Sequence, residues 1–296
     1  MRVFLTGATG FVGTEVVRDL IDAGHTVLGL ARSKHAADKL AAQGADAHPG
    51  SVEDLASLRS GADASDAVIH LGFNPDFSKF RESCEVDQRA IEAIGSVLTG
   101  SGKPFVVPNG IAGLAPSGTV VTEDDAIPDT YKFPRVSEQT ALRLAAQGVH
   151  ASVIRLPQVH DTAKQGLVSR LTQIARGKGV SAYVNEGDNR WPAAHVSDVA
   201  RLFRLVVEAG EAGTRYHAVA EEGVAVRVIA GIIGRVLGLP TQSLTADEAH
   251  SHFGPLSMFV GEDMPASAVA TRETMRWRPT GPMLIADLEQ GGRPGV

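Results

Sequence analysis

The sequence predicts an α/β fold in which a doubly wound parallel sheet is followed by a smaller C-terminal α+β lobe. Three observations predict it. Strand and helix patterns alternate from the first residues, a glycine-rich turn joins the first strand to the first helix, and the alternation loosens after Pro157. Alternating strands and helices form parallel sheets, because each crossover helix returns the chain to the same end of the sheet.

The first half of the chain supplies most of the predicted sheet. Each predicted helix has an apolar face, and glycines such as Gly24, Gly44 and Gly148 mark helix ends. The pattern of residues 51–54 predicts a capping box at the start of a further short helix. Residues 109–130 are rich in Gly, Pro and acidic residues and predict a functional loop. The predicted strands are 3–5, 26–30, 67–71, 103–107 and 152–156, and the main predicted helices are 12–21, 35–43, 80–98 and 135–147.

The second half combines shorter elements. We expect a nucleotide-binding domain over residues 1–158, with return elements from about 193–220, and a mainly substrate-binding lobe over residues 159–296. The predicted helices are 167–175, 199–207 and 226–237, and the predicted strands are 181–184, 194–196 and 216–219.

Composition and charge restrict the classes of partner. The single cysteine, Cys84, cannot form an internal disulfide, which favours a reducing compartment. The formal net charge of −6 argues against binding to nucleic acid or anionic membranes. The sequence contains no long apolar run, no leader pattern after Met1 and no metal-ligand spacing among its ten histidines. We therefore expect a cytoplasmic protein that acts on a small-molecule substrate without a bound metal.

The turn Gly7-Ala8-Thr9-Gly10-Phe11-Val12-Gly13 carries the most specific signal. It stands between an apolar strand and an amphipathic helix. There Gly7 permits the tight turn, Gly10 permits close approach of a pyrophosphate, and Gly13 permits close helix packing. The helix N-terminus then offers free N–H groups to the phosphates. This context predicts a Rossmann-type dinucleotide site rather than an empty glycine-rich turn.

The residues after the second predicted strand indicate which dinucleotide binds. An acidic residue there favours NAD, but this chain has Arg32, Ser33 and Lys34 instead. Arg32 can pair with a 2′-phosphate, and Ser33 and Lys34 can add donors. A hydrogen bond to a charged group contributes roughly 1.5–3 kcal/mol, which corresponds to a roughly ten- to hundredfold preference for NADPH. The alternative is that all three are solvated loop residues.

Five motifs in order resemble the extended and atypical short-chain dehydrogenase/reductase superfamily, and in particular its NAD-dependent epimerase/dehydratase-like members. They are the glycine turn, His70-Leu71-Gly72, Arg155-Leu156-Pro157, the segment 195–200 and Trp277-Arg278-Pro279-Thr280, so the resemblance covers nearly the whole chain.

The resemblance also implies which residues contact the cofactor. Residues from about Pro157 onward would form a substrate lobe over the nicotinamide, and a homodimer is common in the superfamily. The implied cofactor residues are Gly7, Thr9, Gly10, Phe11 and Val12 at the pyrophosphate, Arg32 at the adenosine ribose, Ser51 and Val52 at the adenine, and Leu71, Gly72 and Phe73 along the cofactor, and we also count Gly13, Ser33 and Pro157 among the cofactor-binding residues.

The superfamily's catalytic serine, tyrosine and lysine are not intact here. Tyrosine donates a proton to the carbonyl oxygen in such enzymes, while lysine lowers its pKa. Where serine is expected the chain has Asn109. The suitably placed tyrosine is Tyr131, and the lysine position four residues later holds Arg135. Arginine can hold a ribose hydroxyl, but it is a fixed cation that is less suited to a proton relay.

A second alignment register remains open. Aligning Ser137-Glu138 with the superfamily's Ser-Lys dipeptide puts Pro134 at the tyrosine position. Neither register supplies the lysine. His160, after the strand at 152–156, is either an acid or base that faces the substrate or a loop histidine.

These observations support three functions in order. The first is an NADPH-dependent oxidoreductase that transfers hydride to a carbonyl or related group of a small organic molecule. Tyr131, or otherwise His160 or water, would supply the proton. The second is a non-catalytic sensor that binds NADP(H). The third is a sugar-nucleotide epimerase or dehydratase, which the residues at 32 and 135 argue against. The fold alone does not identify the substrate.

Overall fold

Seven parallel strands form the main sheet of the computed structural model, which describes residues 1–74 and 76–291. Over those residues the strands are β1 (Arg2–Thr6), β2 (Thr26–Ala31), β3 (Asp46–Pro49), β4 (Ala67–His70), β5 (Phe105–Gly110), β6 (Ala151–Leu156), β7 (Gln158–His160), β8 (Ser181–Val184), β9 (Arg190–His195), β10 (Arg215–His217), β11 (Glu221–Ala225) and β12 (Thr241–Leu244). The main sheet has the order β10-β6-β5-β4-β1-β2-β3.

The helices alternate with these strands. In the same described ranges they are α1 (Phe11–Asp22), α2 (Lys34–Ala42), α3 (Leu55–Asp63), α4 (Phe80–Leu98), α5 (Ser137–Ala146), α6 (Leu167–Lys178), α7 (Val196–Ala209), α8 (Val226–Leu237), α9 (Ala246–Phe253), α10 (Ser257–Val260), α11 (Val269–Thr274) and α12 (Leu284–Gly291). None of them combines the length and hydropathy needed to cross a membrane.

The helices cover both faces of the sheet. On one face α1, α2 and α7 bury their apolar residues against the strands, and on the other α3, α4 and α5 do the same. The strand order changes direction between β1 and β4, whose last residues Thr6 and His70 are paired in register. Ligands of such sheets bind at the carboxyl ends of the strands beside this switch point. The predicted doubly wound parallel sheet is therefore confirmed.

The second half of the chain adds two small sheets. One has the order β11-β9-β7 and the other pairs β12 with β8. Two elements from this half nevertheless join the main layers, since β10 pairs with β6 and α7 packs on α1.

The sequence analysis missed one strand, and one of its local predictions is wrong. Strand β3 was not predicted, because its four residues are polar or small and it pairs only with β2 at the edge of the sheet. The predicted capping box at 51–54 is wrong as well. Helix α3 begins after Asp54, whose carboxylate accepts hydrogen bonds from the backbone N–H groups of Ala56 and Ser57.

A buried ion cluster joins α5, β6 and β10. Glu138 accepts two hydrogen bonds from Arg155, at 2.6 and 2.8 Å, and one from Arg215 at 2.8 Å. The Glu138 and Arg155 side chains are fully buried. Arg155 also donates to the carbonyl groups of Thr122 and Asp125, which anchors the loop that precedes α5.

We expect Glu138→Gln to destabilise the fold strongly, because it leaves the buried Arg155 guanidinium without a counter-ion. Removing one partner of a buried pair costs about 3–5 kcal/mol. Urea unfolding followed by circular dichroism measures the loss. The matched control is Glu92→Gln, which removes the solvent-exposed pair with Arg143 and should cost less than about 1 kcal/mol. Equal losses in both variants would contradict this role of Glu138.

Candidate functional site

The glycine turn brings three backbone segments into close contact. Gly7 has a φ of +68°, and a Cβ there would lie 2.5 Å from the carbonyl oxygen of Leu71. A Cβ on Gly13 would lie 2.1 Å from the carbonyl oxygen of Gly7. Residues with side chains cannot occupy either position without displacing backbone.

The start of α1 is open to a ligand. Gly10 is its N-cap residue and has no side chain, so it offers no side-chain acceptor to the first N–H groups of the helix. The positive end of the helix dipole adds to these donors. The turn therefore fits a pyrophosphate, the group for which the sequence predicts it.

The end of β4 is fixed against the end of β1. The Thr6 hydroxyl is hydrogen bonded to His70 Nδ1 at 2.9 Å and accepts a hydrogen bond from Gly72 N at 3.0 Å. A Cβ on Gly72 would lie 2.6 Å from a methyl group of Val52. Val52, expected at the adenine, and Gly72, expected along the cofactor, thus lie in contact beside the switch point.

A surface cavity of about 470 Å³ lies at the ends of β2 and β3. Its wall includes the predicted ribose and adenine residues Arg32, Ser33 and Ser51. Arg32 is exposed, while Ser33 caps α2 by accepting a hydrogen bond from Ala36 N. Lys34 also lines this cavity, but its ammonium group pairs with Asp38 at 2.9 Å. Of the two cationic residues that line this cavity, Arg32 therefore forms no ion pair with another described residue.

A larger cavity of about 800 Å³ adjoins the first turn of α1. Phe11 and Val12 of that turn and Phe73 after β4 line it, as does Pro157. Tyr131 and Arg135 line the same cavity, so both come close to the expected cofactor position. The dinucleotide cradle and the apolar cavity therefore share a wall.

Tyr131 lies in a turn before α5 rather than on the helix itself. Burial raises the pKa of Tyr131 to about 12, although the positive charge of Arg135 acts to lower it. The Tyr131 ring contacts that of Phe133 with centroids 5.6 Å apart. At neutral pH the hydroxyl therefore keeps its proton and can donate it.

Arg135 is held by contacts on several sides. Its guanidinium lies 4.4 Å from the ring centroid of Phe73. Its Nε donates to Ser137 Oγ at 2.8 Å, and one Nη donates to the carbonyl group of Pro108 at 3.3 Å. Ser137, the serine of the second alignment register, is thus used to hold Arg135.

Asp87 on α4 is the buried counter-ion of this arrangement. Its side chain is 2% exposed, and it accepts a hydrogen bond from Ser137 Oγ at 2.5 Å. His70 Nε2 lies 3.4 Å and an Arg135 Nη 3.7 Å from its other oxygen. Burial raises the pKa of Asp87, but the Arg135 charge and the His70 and Ser137 contacts outweigh it and lower that pKa.

The sequence analysis missed Asp87, although a signal was present. Asp87 falls on the face of α4 that also buries Cys84, Ala90 and Ile91. A carboxylate on an apolar helix face predicts a buried partner, because an unpaired buried charge is costly.

Asn109 does not line the larger cavity. Its side chain is almost fully buried, and its amide donates to Glu138 Oε2 and to the carbonyl group of Gly110, both at 3.3 Å. A side-chain hydrogen bond of Asn109 also acts to lower the pKa of Tyr131, so Asn109 contacts both the ion cluster and the expected proton donor. Its serine-like role stays a prediction. Glu138, at the lysine position of the second register, belongs to that cluster too.

His160 is the last residue of β7. It is fully buried, and its Nδ1 lies 2.7 Å from Asp287 Oδ2 on α12, which covers the ring. Burial lowers the pKa of His160, against the opposing hydrogen bond and charge of Asp287. The imidazole does not line the larger cavity, and a role of His160 as acid or base stays a prediction.

The fold and the glycine turn define a Rossmann-type protein of the NAD(P)-dependent kind. A family model described as the NAD dependent epimerase/dehydratase family matches residues 3–84. "Uncharacterized protein C2A9.02" from Schizosaccharomyces pombe is 45% identical over 289 residues, which are 97% of this chain and 98% of that protein. "Uncharacterized protein YLL056C" from Saccharomyces cerevisiae is 44% identical over 292 residues, again 97% and 98% of the two chains.

A solved structure shows the same fold over nearly the whole chain. DesIV, a dTDP-glucose 4,6-dehydratase from Streptomyces venezuelae with NAD and TYD bound, superposes with a TM-score of 0.75 at 18% identity, covering 99% of this chain and 96% of that one. The family model and the two yeast relatives place the chain in the NAD-dependent epimerase/dehydratase family, and the DesIV superposition shows the fold.

Metal ligation has no candidate group among residues 1–74 and 76–291. No three or more His, Cys, Asp or Glu side chains there are arranged to hold an ion.

We expect Gly13→Ala to weaken NADPH binding at least about tenfold, because the new methyl group displaces the Gly7 carbonyl and deforms the pyrophosphate cradle. Calorimetric titration measures the dissociation constant, and circular dichroism checks folding. The matched control is Gly231→Ala on α8, where an added Cβ meets no atom within 4 Å. Wild-type affinity in folded Gly13→Ala protein would contradict the assignment of the cradle.

Proposed function

We propose that the protein is an NADPH-dependent oxidoreductase that transfers hydride to a carbonyl or related group of a small organic molecule. The observation that carries this proposal is the shared wall between the glycine cradle and the 800 Å³ cavity, where Tyr131 and Arg135 also lie. A reductase requires a dinucleotide, a dry substrate space and a proton donor at one place.

The described residues fit NADP(H). The backbone around Gly7, Gly10 and Gly13 leaves room that side chains would fill, and the open start of α1 suits the pyrophosphate. Arg32 and Ser33 would bind the 2′-phosphate in the smaller cavity. The remaining contacts follow the sequence analysis, with Ser51 and Val52 at the adenine and Leu71, Gly72, Phe73 and Pro157 along the cofactor.

The bound cofactor supplies a hydride to the carbonyl carbon. The Tyr131 hydroxyl donates a proton to the carbonyl oxygen, so that the product is an alcohol. The fixed positive charge of Arg135 stabilises negative charge that develops on that oxygen. Aromatic and aliphatic side chains around the cavity exclude water from the reacting atoms.

The composition of the cavity supports a reductase over a sugar-nucleotide epimerase or dehydratase. Its lining is predominantly apolar, whereas a sugar requires hydrogen-bonding partners for its hydroxyl groups. A non-catalytic NADP(H) sensor is the alternative that complete absence of turnover would favour.

We expect Arg32→Gln to raise the dissociation constant of NADPH about tenfold and to leave that of NADH within about twofold, because only NADPH carries the phosphate that Arg32 would bind. Calorimetric titration with both nucleotides measures the two constants. The control is Lys39→Gln, an exposed cation on α2 that does not line the smaller cavity. Tighter binding of NADH than NADPH by the wild-type protein would overturn the choice of cofactor.

We expect Tyr131→Phe to lower kcat for carbonyl reduction about a hundredfold with little change in KM, because the phenyl ring keeps the shape but loses the proton. With a Tyr131 pKa of about 12, the wild-type hydroxyl stays protonated from pH 6 to about 10, so it should cause no alkaline loss of rate there. Steady-state NADPH oxidation measures both effects.

The control is Tyr183→Phe on β8, which does not line the cavity. Unchanged turnover in Tyr131→Phe would remove this residue from the mechanism. Failure of wild-type protein to oxidise NADPH with any of a broad panel of aldehydes, ketones and imines would overturn the oxidoreductase proposal.

A further inference from the structure

One wall of the larger cavity is a continuous aromatic surface. The rings of Phe133 and Phe259 are stacked with centroids 5.2 Å apart. Phe80 contacts Phe259 edge-on at 6.2 Å and Phe73 at 6.0 Å. Tyr131 extends the surface at the other end through its contact with Phe133. Such a wall favours planar ligands, because aromatic rings bind best to one another in stacked or edge-to-face pairs.

The charged residues that line this cavity are all positive. They are Arg135, Lys164 and Arg170, and no described carboxylate lines it. Two of the three have a clear local role. Arg135 is held by Ser137 and Asp87. Lys164 lies 5.7 Å from the ring centroid of Phe11, in the first turn of α1 beside the expected pyrophosphate position.

Arg170 has no such role. It is exposed on the first turn of α6, and its hydrogen bond is a long one of 3.4 Å to Gln173 Oε1. It has no carboxylate within 4 Å in the described part of the chain. The positive charge of Arg170 acts to lower the pKa of Asp76, whose carboxylate already accepts hydrogen bonds from Ser78.

We propose that the substrate is a planar aromatic carbonyl compound that carries an anionic group. Its ring lies along the aromatic wall, its carbonyl group faces Tyr131, and its anion pairs with Arg170. This inference rests on the proposed reductase function and specifies its substrate class. A cavity rim with only positive lining charges raises the local concentration of anions and disfavours cations.

A charge series of aldehydes tests the proposal. With NADPH in excess, the kcat/KM should be highest for para-carboxybenzaldehyde, lower for benzaldehyde and lowest for para-trimethylammoniobenzaldehyde. Succinic semialdehyde, an aliphatic anion, should be a poorer substrate than para-carboxybenzaldehyde. Equal kcat/KM values across the four compounds, with turnover present, would overturn the substrate class and leave the reductase function intact.

Arg170→Gln should raise the KM for para-carboxybenzaldehyde about fivefold, as expected for loss of a partly solvated ion pair, and leave that for benzaldehyde within about twofold. Arg176→Gln is the matched control, since Arg176 lies on the same helix but does not line this cavity. Asp76→Asn should lower the KM for the anionic aldehyde, because it removes a carboxylate on which the charge of Arg170 acts. Equal effects of Arg170→Gln and Arg176→Gln would contradict the assigned anion site.

Phe133→Leu tests the aromatic wall separately. The variant should lose affinity for both benzaldehydes and retain that for succinic semialdehyde, because leucine keeps an apolar side chain but removes the stacking face. Equal losses for the three substrates would contradict the proposed placement of the ring.

Binding without turnover separates this inference from the proposed function. Calorimetry of the NADP+-loaded protein with para-(hydroxymethyl)benzoate, the expected product, requires no reaction. Binding that weakens in Arg170→Gln but not in Arg176→Gln supports the anion site, even if no aldehyde is reduced and the oxidoreductase proposal falls. Absence of binding in the wild-type protein that still reduces aldehydes would overturn the inference alone.

Discussion

The site depends on backbone segments that approach one another without side chains between them. At the carboxyl ends of β1 and β4, Gly7 faces the Leu71 carbonyl group, and Gly13 brings α1 onto the Gly7 carbonyl group. This contact fixes the start of α1 beside the residues after β4. It also places the apolar cavity next to the helix N-terminus.

Elements with a strong local pattern could be predicted from the sequence, and edge or partner-dependent elements could not. The bounds predicted for α4 and α8 match the observed ones, because each helix has a long apolar face and a clear end. Strand β3 lacks that signal, since it is exposed and depends on β2 for its conformation. Helix α12 was missed for a related reason. It is short, and its buried Asp287 pairs with His160, 127 residues away in sequence, and lies near His195.

The same distinction applies to the candidate site. The glycine turn could be predicted because the seven consecutive residues 7–13 are enough to define it. Asp87, by contrast, obtains its meaning from Ser137 on another helix, 50 residues later. Glu138 similarly depends on Arg155 and Arg215, from two strands of the sheet. A dipeptide such as Ser137-Glu138 therefore looks like part of a catalytic motif, although one residue holds Arg135 and the other balances buried arginines.

Arginine in place of the superfamily's lysine changes how a proton can reach the substrate. A guanidinium keeps its charge throughout the physiological range, so Arg135 cannot give up a proton and then take one back as a lysine ammonium group can. Its planar group can instead lie on Phe73 while it donates to Ser137 and the Pro108 carbonyl group, with the Asp87 charge behind it. This makes the positive charge near Tyr131 permanent and fixed in position. In the proposed reaction the phenol therefore recovers its proton from water that enters the cavity after each turnover, because Arg135 occupies the position from which the superfamily's lysine would return it.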